Sequence, residues 1–292
     1  MVINLGNTAQ LPADSPEDLV GPTGLIETLS SKIAALQLPD GSFASLEFDD
    51  STGQSTRLSD VFATALVTWL FSYSEIHLWE HAWVNKALDY LEHQRDSSGL
   101  WGFRGRAGEF PPDLDDTSVV LLALIRFGRL NPSEARLIVT SFTLQDSGLL
   151  STWATGARDR STVVDVTANG HAVLALFEAG LRNANLEAAF LKASEAPWSA
   201  LKSPYYCTSL PCRLARALFL DCTTRSVRPL RKACAALAPI LNSLASEAEI
   251  ATGSEKTPLY RRRRVPVFYT SNAVLLAYGL HVTSLQTTGK QP

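Results

Sequence analysis

Two kinds of apolar segment alternate along the chain. In one kind nearly every position is apolar, as in VVLLALIRFG from Val119, HAVLALFEAG from His171 and AVLLAYGL from Ala273. In the other, apolar residues recur at spacings of three and four, as in LIETLSSKIAALQ from Leu25 and HAWVNKALDYLEHQ from His81. The second pattern predicts amphipathic helices with one covered face, and the first predicts helices buried on all sides. Strand signals are weak, because no sustained period-two alternation is bounded by hairpin turns.

The fully apolar helices belong to an internal repeat. SDVFATALVTWL from Ser59, PDLDDTSVVLLAL from Pro112 and VDVTANGHAVLAL from Val164 align on Asp60, Asp113 and Asp165, which are roughly 50 residues apart. PVFYTSNAVLLAY from Pro266 is a later copy with Val267 at the aspartate position, and SPYYCTSLPCRLARALFL from Ser203 is the most divergent one. A glycine turn precedes each of the first three copies, at Gly41, Gly99 and Gly148. A repeated pair of one amphipathic and one apolar helix predicts an all-α protein, a single (α/α) barrel or toroid of about five to six helix pairs with an apolar inner ring. The expected organisation is an extension over residues 1–24, one barrel domain over 25–282 and a polar tail over 283–292.

Composition narrows the function. The chain of 292 residues is 46% hydrophobic and 19% charged with a net charge of -3, so it has a substantial core and no general basic excess for a nucleic-acid partner. The N-terminus has neither a basic nor an apolar leader region, and the apolar run Val119 to Ile125 is far short of the roughly 20 residues of a membrane span. A cytoplasmic protein is expected. Cys207, Cys212, Cys222 and Cys234 form no CxxC pair and have no histidine at finger spacing, so reduced thiols and no metal site are expected.

Chemistry concentrates in one copy of the repeat. Asp113, Asp115 and Asp116 stand directly before an apolar helix, where the other copies need one carboxylate to begin. Three like charges this close, partly desolvated, keep at least one carboxyl protonated at neutral pH. Such a group facing an apolar cavity can protonate an alkene or an epoxide. Asp115 is the best placed, with Asp113 and Asp116 as its supports and Asn169, at the next helix start, as a donor to its second oxygen. His171, two residues on, is expected as a satisfied core histidine; tuning the acid or deprotonating the final cation is its alternative role. Aromatic faces stabilise a travelling carbocation, and the candidates at the same end of each copy are Phe62, Trp69, Trp101, Phe103, Trp153, Tyr205, Tyr206, Phe268 and Tyr269. The run Arg261, Arg262, Arg263, Arg264 is either a solvated loop or a clamp for an anionic head group.

DLDDTS resembles the DxDD(T/S) acid motif of class II terpene cyclases, the family of squalene-hopene cyclases and copalyl diphosphate synthases. The turns DGSF and DSSGLWGF are similar to the family's QW-type turns, and DVTAN to the stretch whose Asn binds the catalytic Asp. The resemblance implies Asp115 as general acid, Asp113 and Asp116 as supports and Asn169 as its partner. With room for one barrel, the chain is similar to the monodomain members that act on a prenylated aromatic acid. It implies an isomerase-type cyclisation of a hydrophobic polyprenyl substrate without a required cofactor, magnesium entering only with a diphosphate substrate. Transient membrane-surface contact is left open, as is the oligomeric state. No DDxxD follows the motif, which argues against metal-assisted diphosphate ionisation. Three alternatives stand beside this reading. They are a diterpenyl diphosphate or squalene-type cyclase, a zinc prenyltransferase β-like protein using Asp221, Cys222 and His281, and a noncatalytic lipid-binding α/α barrel.

Overall fold

The structure, a computed structural model, describes residues 22–49, 54–73, 80–106, 110–156, 162–196, 206, 210–224, 260–261, 267–270 and 277. Among them lie eight helices: α1 (Pro22–Ala35), α2 (Val61–Phe71), α3 (Ala82–His93), α4 (Leu114–Arg126), α5 (Arg136–Ser141), α6 (Val166–Glu178), α7 (Ala184–Ala193) and α8 (Leu210–Thr224). Six short strands accompany them: β1 (Phe43–Asp49), β2 (Gln54–Asp60), β3 (Phe142–Leu144), β4 (Leu150–Ala154), β5 (Tyr260–Arg261) and β6 (Val267–Thr270).

The two helix patterns separate into two layers. Every residue of α2 is buried; α4 is buried from Leu114 to Leu124 except at Asp115, and α6 from Thr167 to Leu176. Helices apolar on all sides need neighbours on all sides. Accordingly α4 packs against both α2 and α6, and α6 also packs against α8. The amphipathic helices form the outer cover, α3 against α2 and α7 against α6. In α3 the stripe Trp83, Val84, Ala87, Leu88 and Leu91 is buried while Asn85, Lys86 and Asp89 face out. Each fully buried large apolar side chain contributes about 1.5–3 kcal/mol.

The aligned aspartates are helix caps. Asp60 accepts from the Ala63 amide, Asp113 from that of Asp116, and Asp165 from those of Thr167 and Ala168. Four residues after each cap stands a second fixed side chain. Thr64 accepts the Phe43 amide at 2.9 Å. Thr117 accepts the Trp101 amide at 3.2 Å and donates to the Trp101 carbonyl at 3.1 Å. Asn169 accepts the Leu150 amide at 2.8 Å and donates to the Leu150 carbonyl at 3.0 Å. Each clamped residue lies two positions after a repeat glycine, and Gly41, Gly99 and Gly148 all have left-handed backbones, φ 91°, 85° and 79°. At Gly41 the need is also steric, because a Cβ would sit 2.3 Å from the Lys86 carbonyl oxygen.

Two small sheets depart from the all-α expectation. One is antiparallel in the order β2-β1-β6-β5, with Phe43 opposite Asp60 and Leu46 opposite Thr270; the other is the β3–β4 pair. The pattern was masked because a buried strand position carries a polar residue. Ser45 is wholly buried and donates its hydroxyl to the Asp60 carboxylate, so hydrophobicity does not alternate although the pleat does. Through β6 the copy that begins at Pro266 lies beside the first copy. Neighbouring units are also stitched at the helix starts: the Val61 amide donates to the Phe103 carbonyl, and the Ala154 amide to the Pro112 carbonyl. The helix expected from Leu25 begins at Pro22. Among the described residues no helix is long and apolar enough to cross a membrane.

The clamp yields a stability prediction. Thr117→Val keeps the shape but leaves the buried Trp101 amide without an acceptor, whereas the Trp101 carbonyl still receives the Asp113 amide. The expected loss is about 1–3 kcal/mol in chemical denaturation, and no loss would refute the clamp.

Candidate active site

The three carboxylates at the start of α4 point to different surroundings. Asp113 is committed to the cap, its Oδ1 accepting the Asp116 amide at 2.8 Å. Asp116 is 2% exposed and turned into the protein beside the Asp113 carboxyl, and its Oδ2 has no hydrogen-bond partner among the described residues. Asp115, two residues past the cap, projects to the opposite side and keeps 16% of its side chain exposed.

Three elements converge on Asp115. His171, on α6 and 1% exposed, places Nδ1 2.6 Å from Asp115 Oδ1. Tyr206, between α7 and α8, donates its hydroxyl to Asp115 Oδ2. Phe62, on α2 at the repeat position of Asp115, meets the Tyr206 ring at 6.2 Å and 66°. Behind His171 lies Trp69, ring centroids 5.6 Å apart at 77°. Both carboxylate oxygens of Asp115 are therefore engaged, and apolar inner helices continue beneath them.

The electrostatics follow burial. Asp113 is pushed up to about 7, chiefly by burial, with Asp115's charge adding to the rise and hydrogen bonds with Asp116 opposing it. Asp116 is raised well above the usual carboxylate range, again first by burial and then by Asp113, Asp115 and Asp60. Burial and mutual repulsion thus both favour the protonated form of this pair.

The expected role of Asn169 is corrected. Its amide nitrogen serves the carbonyls of Leu150 and Asp165, and its oxygen serves the Leu150 amide, so no donor is left for Asp115. The missed signal was in the repeat itself: Thr64, Thr117 and Asn169 share one register, which marks a structural position. His171, expected in the core without a task, takes the place beside the acid.

The aromatic candidates divide in the same way. Phe62 and Tyr206 stand at Asp115, and Trp69 stands one layer below. Trp101 is wholly buried, donates its indole N–H to the Leu91 carbonyl at 2.7 Å and lies under the Arg95 guanidinium. Trp153 is tied to Asp113 through a backbone bridge, and Phe103 packs on Phe110 with ring centroids 6.1 Å apart. For Phe268, Tyr269 and Arg261 the description stops at the backbone of β6 and β5. Tyr205, Arg262, Arg263, Arg264, Cys207, Cys234 and His281 lie outside the described residues, as does the Asp221 side chain. Among the described residues no three His, Cys, Asp or Glu side chains are grouped as a metal site.

No protein-family model and no curated protein matches the chain, but solved structures do. Type II terpene cyclase MstE from Scytonema, without ligand, is 13% identical with a TM-score of 0.58, over 92% of this chain and 99% of that one. The fold is that of a type II terpene cyclase. A substituted MstE in complex with geranylgeranyl dihydroxybenzoate, its substrate, gives 12% identity and a TM-score of 0.59 over 92% and 97% of the two chains. A protein from Actinoplanes gives 15% and 0.60 over 92% and 100%. Identities this low establish the terpene-cyclase fold, and the chemistry has to be argued from the site.

Two predictions follow from the site's geometry. Because the folded state holds a proton on Asp113 more tightly than the unfolded chain, its contribution is fully present below the ordinary value of 3.8 and is lost as pH rises through about 7; the raised Asp116 acts in the same direction. Denaturation across that interval should show stability falling with pH by at most about 1.4 kcal/mol per unit per proton. Asp116→Asn should flatten the slope, and an unchanged slope would contradict the raised pair. Separately, Asn169→Thr, which installs the residue of the other two copies, should fold at a cost of about 1 kcal/mol. It should leave the His171 ring 15N signals in place; movement of those signals would return Asn169 to the acid site.

Proposed function

We propose that this protein is a class II, protonation-initiated cyclase of a polyprenyl chain carried on an aromatic acid, built as a single α/α barrel whose inner ring includes α2, α4, α6 and α8. The successive packing of those helices and the pairing of β6 with β1 support ring closure. The observation that carries the chemistry is Asp115, a partly open carboxyl held at both oxygens over an apolar interior.

In this reading Asp115 gives its proton to the terminal alkene or epoxide. The π electrons of successive alkenes close the rings, and the last cation loses a proton to a base. Reactant and product are isomers when no water is captured, so the step needs no redox partner or cofactor. A carbocation survives only where water is excluded and ring faces are near; Phe62 is the aromatic side chain best placed for the first cation. The run Arg261–Arg264 would serve an anionic head group, and its support is the backbone position of β5, with Arg261, at the sheet edge beside β6. The likeness to MstE with geranylgeranyl dihydroxybenzoate supports that compound as the first substrate to try.

Incubation with geranylgeranyl dihydroxybenzoate should give a polycyclic isomer detected by mass and NMR. Asp115→Asn should reduce the rate by about 10²–10⁴-fold, the usual range for a general acid, while the protein stays folded. Cyclisation by Asp115→Asn at the parent rate would overturn the proposal. Turnover of squalene or geranylgeranyl diphosphate in its place would assign the chain to the other class II substrates.

A further inference from the structure

Resting on the reading of Asp115 as proton donor, we infer that Tyr206 is a positioning residue for that acid: its hydroxyl fixes the carboxyl and stabilises the carboxylate that remains after the proton has left.

The geometry separates Tyr206 from the other groups around Asp115. Asp113 is committed to the cap, and Asp116, on the same helix, is buried away from solvent. His171, from α6, places Nδ1 2.6 Å from Oδ1, and whether it donates there depends on which ring nitrogen carries hydrogen. Tyr206 has no such ambiguity. Its hydroxyl carries a single hydrogen and donates it to Oδ2. A donor to the charged form of a carboxylate makes proton transfer from it easier.

The Tyr206 ring is 4% exposed and held against Phe62, with its hydroxyl on the acid. Asn169 was the residue expected to supply this second donor. Tyr206 supplies it from the connection between α7 and α8, the stretch SPYYC of the most divergent repeat copy.

Tyr206→Phe keeps the ring against Phe62 and removes only the hydroxyl. With the substrate that the parent cyclises, kcat should fall about 10- to 100-fold, the range for losing a hydrogen bond to a charged group, while KM stays within about twofold. In the absence of substrate, the 13C carboxyl signal of Asp115 should move between parent and Tyr206→Phe. An unmoved signal, or a raised KM with kcat intact, would overturn the inference. Should Tyr206→Phe fail to fold, incorporation of 3-fluorotyrosine at position 206 replaces it, and the same carboxyl signal must respond to the more acidic phenol or the inference falls. If the parent cyclises nothing, the reading of Asp115 fails by itself, and the carboxyl signal still decides whether Tyr206 holds the acid.

Discussion

The structure depends on the bond between each inner helix and the turn before it, made by the side chain four residues past the cap. A helix buried on every side has no room for water at its first turn, so its unpaired amides and those of the approaching strand need protein partners. The caps Asp60, Asp113 and Asp165 supply one set, and Thr64, Thr117 and Asn169 supply the other. Because the same two positions are used in each copy, the three helix starts are brought to a common level. Residues two past the cap, Phe62, Asp115 and Thr167, are spared both duties.

That spared position is where one copy departs from its repeats. Phe62 and Thr167 are buried, whereas Asp115 is a carboxylate that must be compensated by neighbours. Its compensation comes from other units of the repeat, His171 from α6 and Tyr206 from the connection into α8. Hydrogen bonds to a charged group are worth about 1.5–3 kcal/mol each. Both oxygens of Asp115 are held by side chains from other units. Asp116 Oδ2 has no such partner among the described residues, and burial pushes its carboxyl toward the neutral form.

What the sequence disclosed follows from this division. The caps, the left-handed glycines and the inner and outer helices are set by local chemistry repeated in register, so pattern alone revealed them. The β1–β2 hairpin was hidden because its buried partner to Asp60 is Ser45, a residue without hydrophobic character. Asn169 was misread because a polar side chain at a helix start looks equally suited to a backbone and to a carboxylate; only its register with Thr64 and Thr117 separates the two. His171 and Tyr206 reach Asp115 from 56 and 91 residues away in sequence, and no local pattern encodes which helix faces which. Even so, the singular place of Asp115 was legible, since it is the acidic residue at a position that is apolar or neutral in the aligned copies.

The same comparison explains why the carboxyl that holds a proton most firmly is a poor candidate to give it away. Asp116 is raised by burial and by neighbouring charge, which means its carboxylate is badly stabilised and proton loss is costly. It is also sealed from any cavity at 2% exposure. A proton donor to an alkene needs the opposite: access, and a conjugate base that the site is already built to receive. Asp115 has both, with an exposed edge and a partner at each oxygen. The cluster therefore divides its labour by burial. The buried pair is pushed toward its neutral form, which lowers the repulsion at the start of α4 beside the partly exposed Asp115.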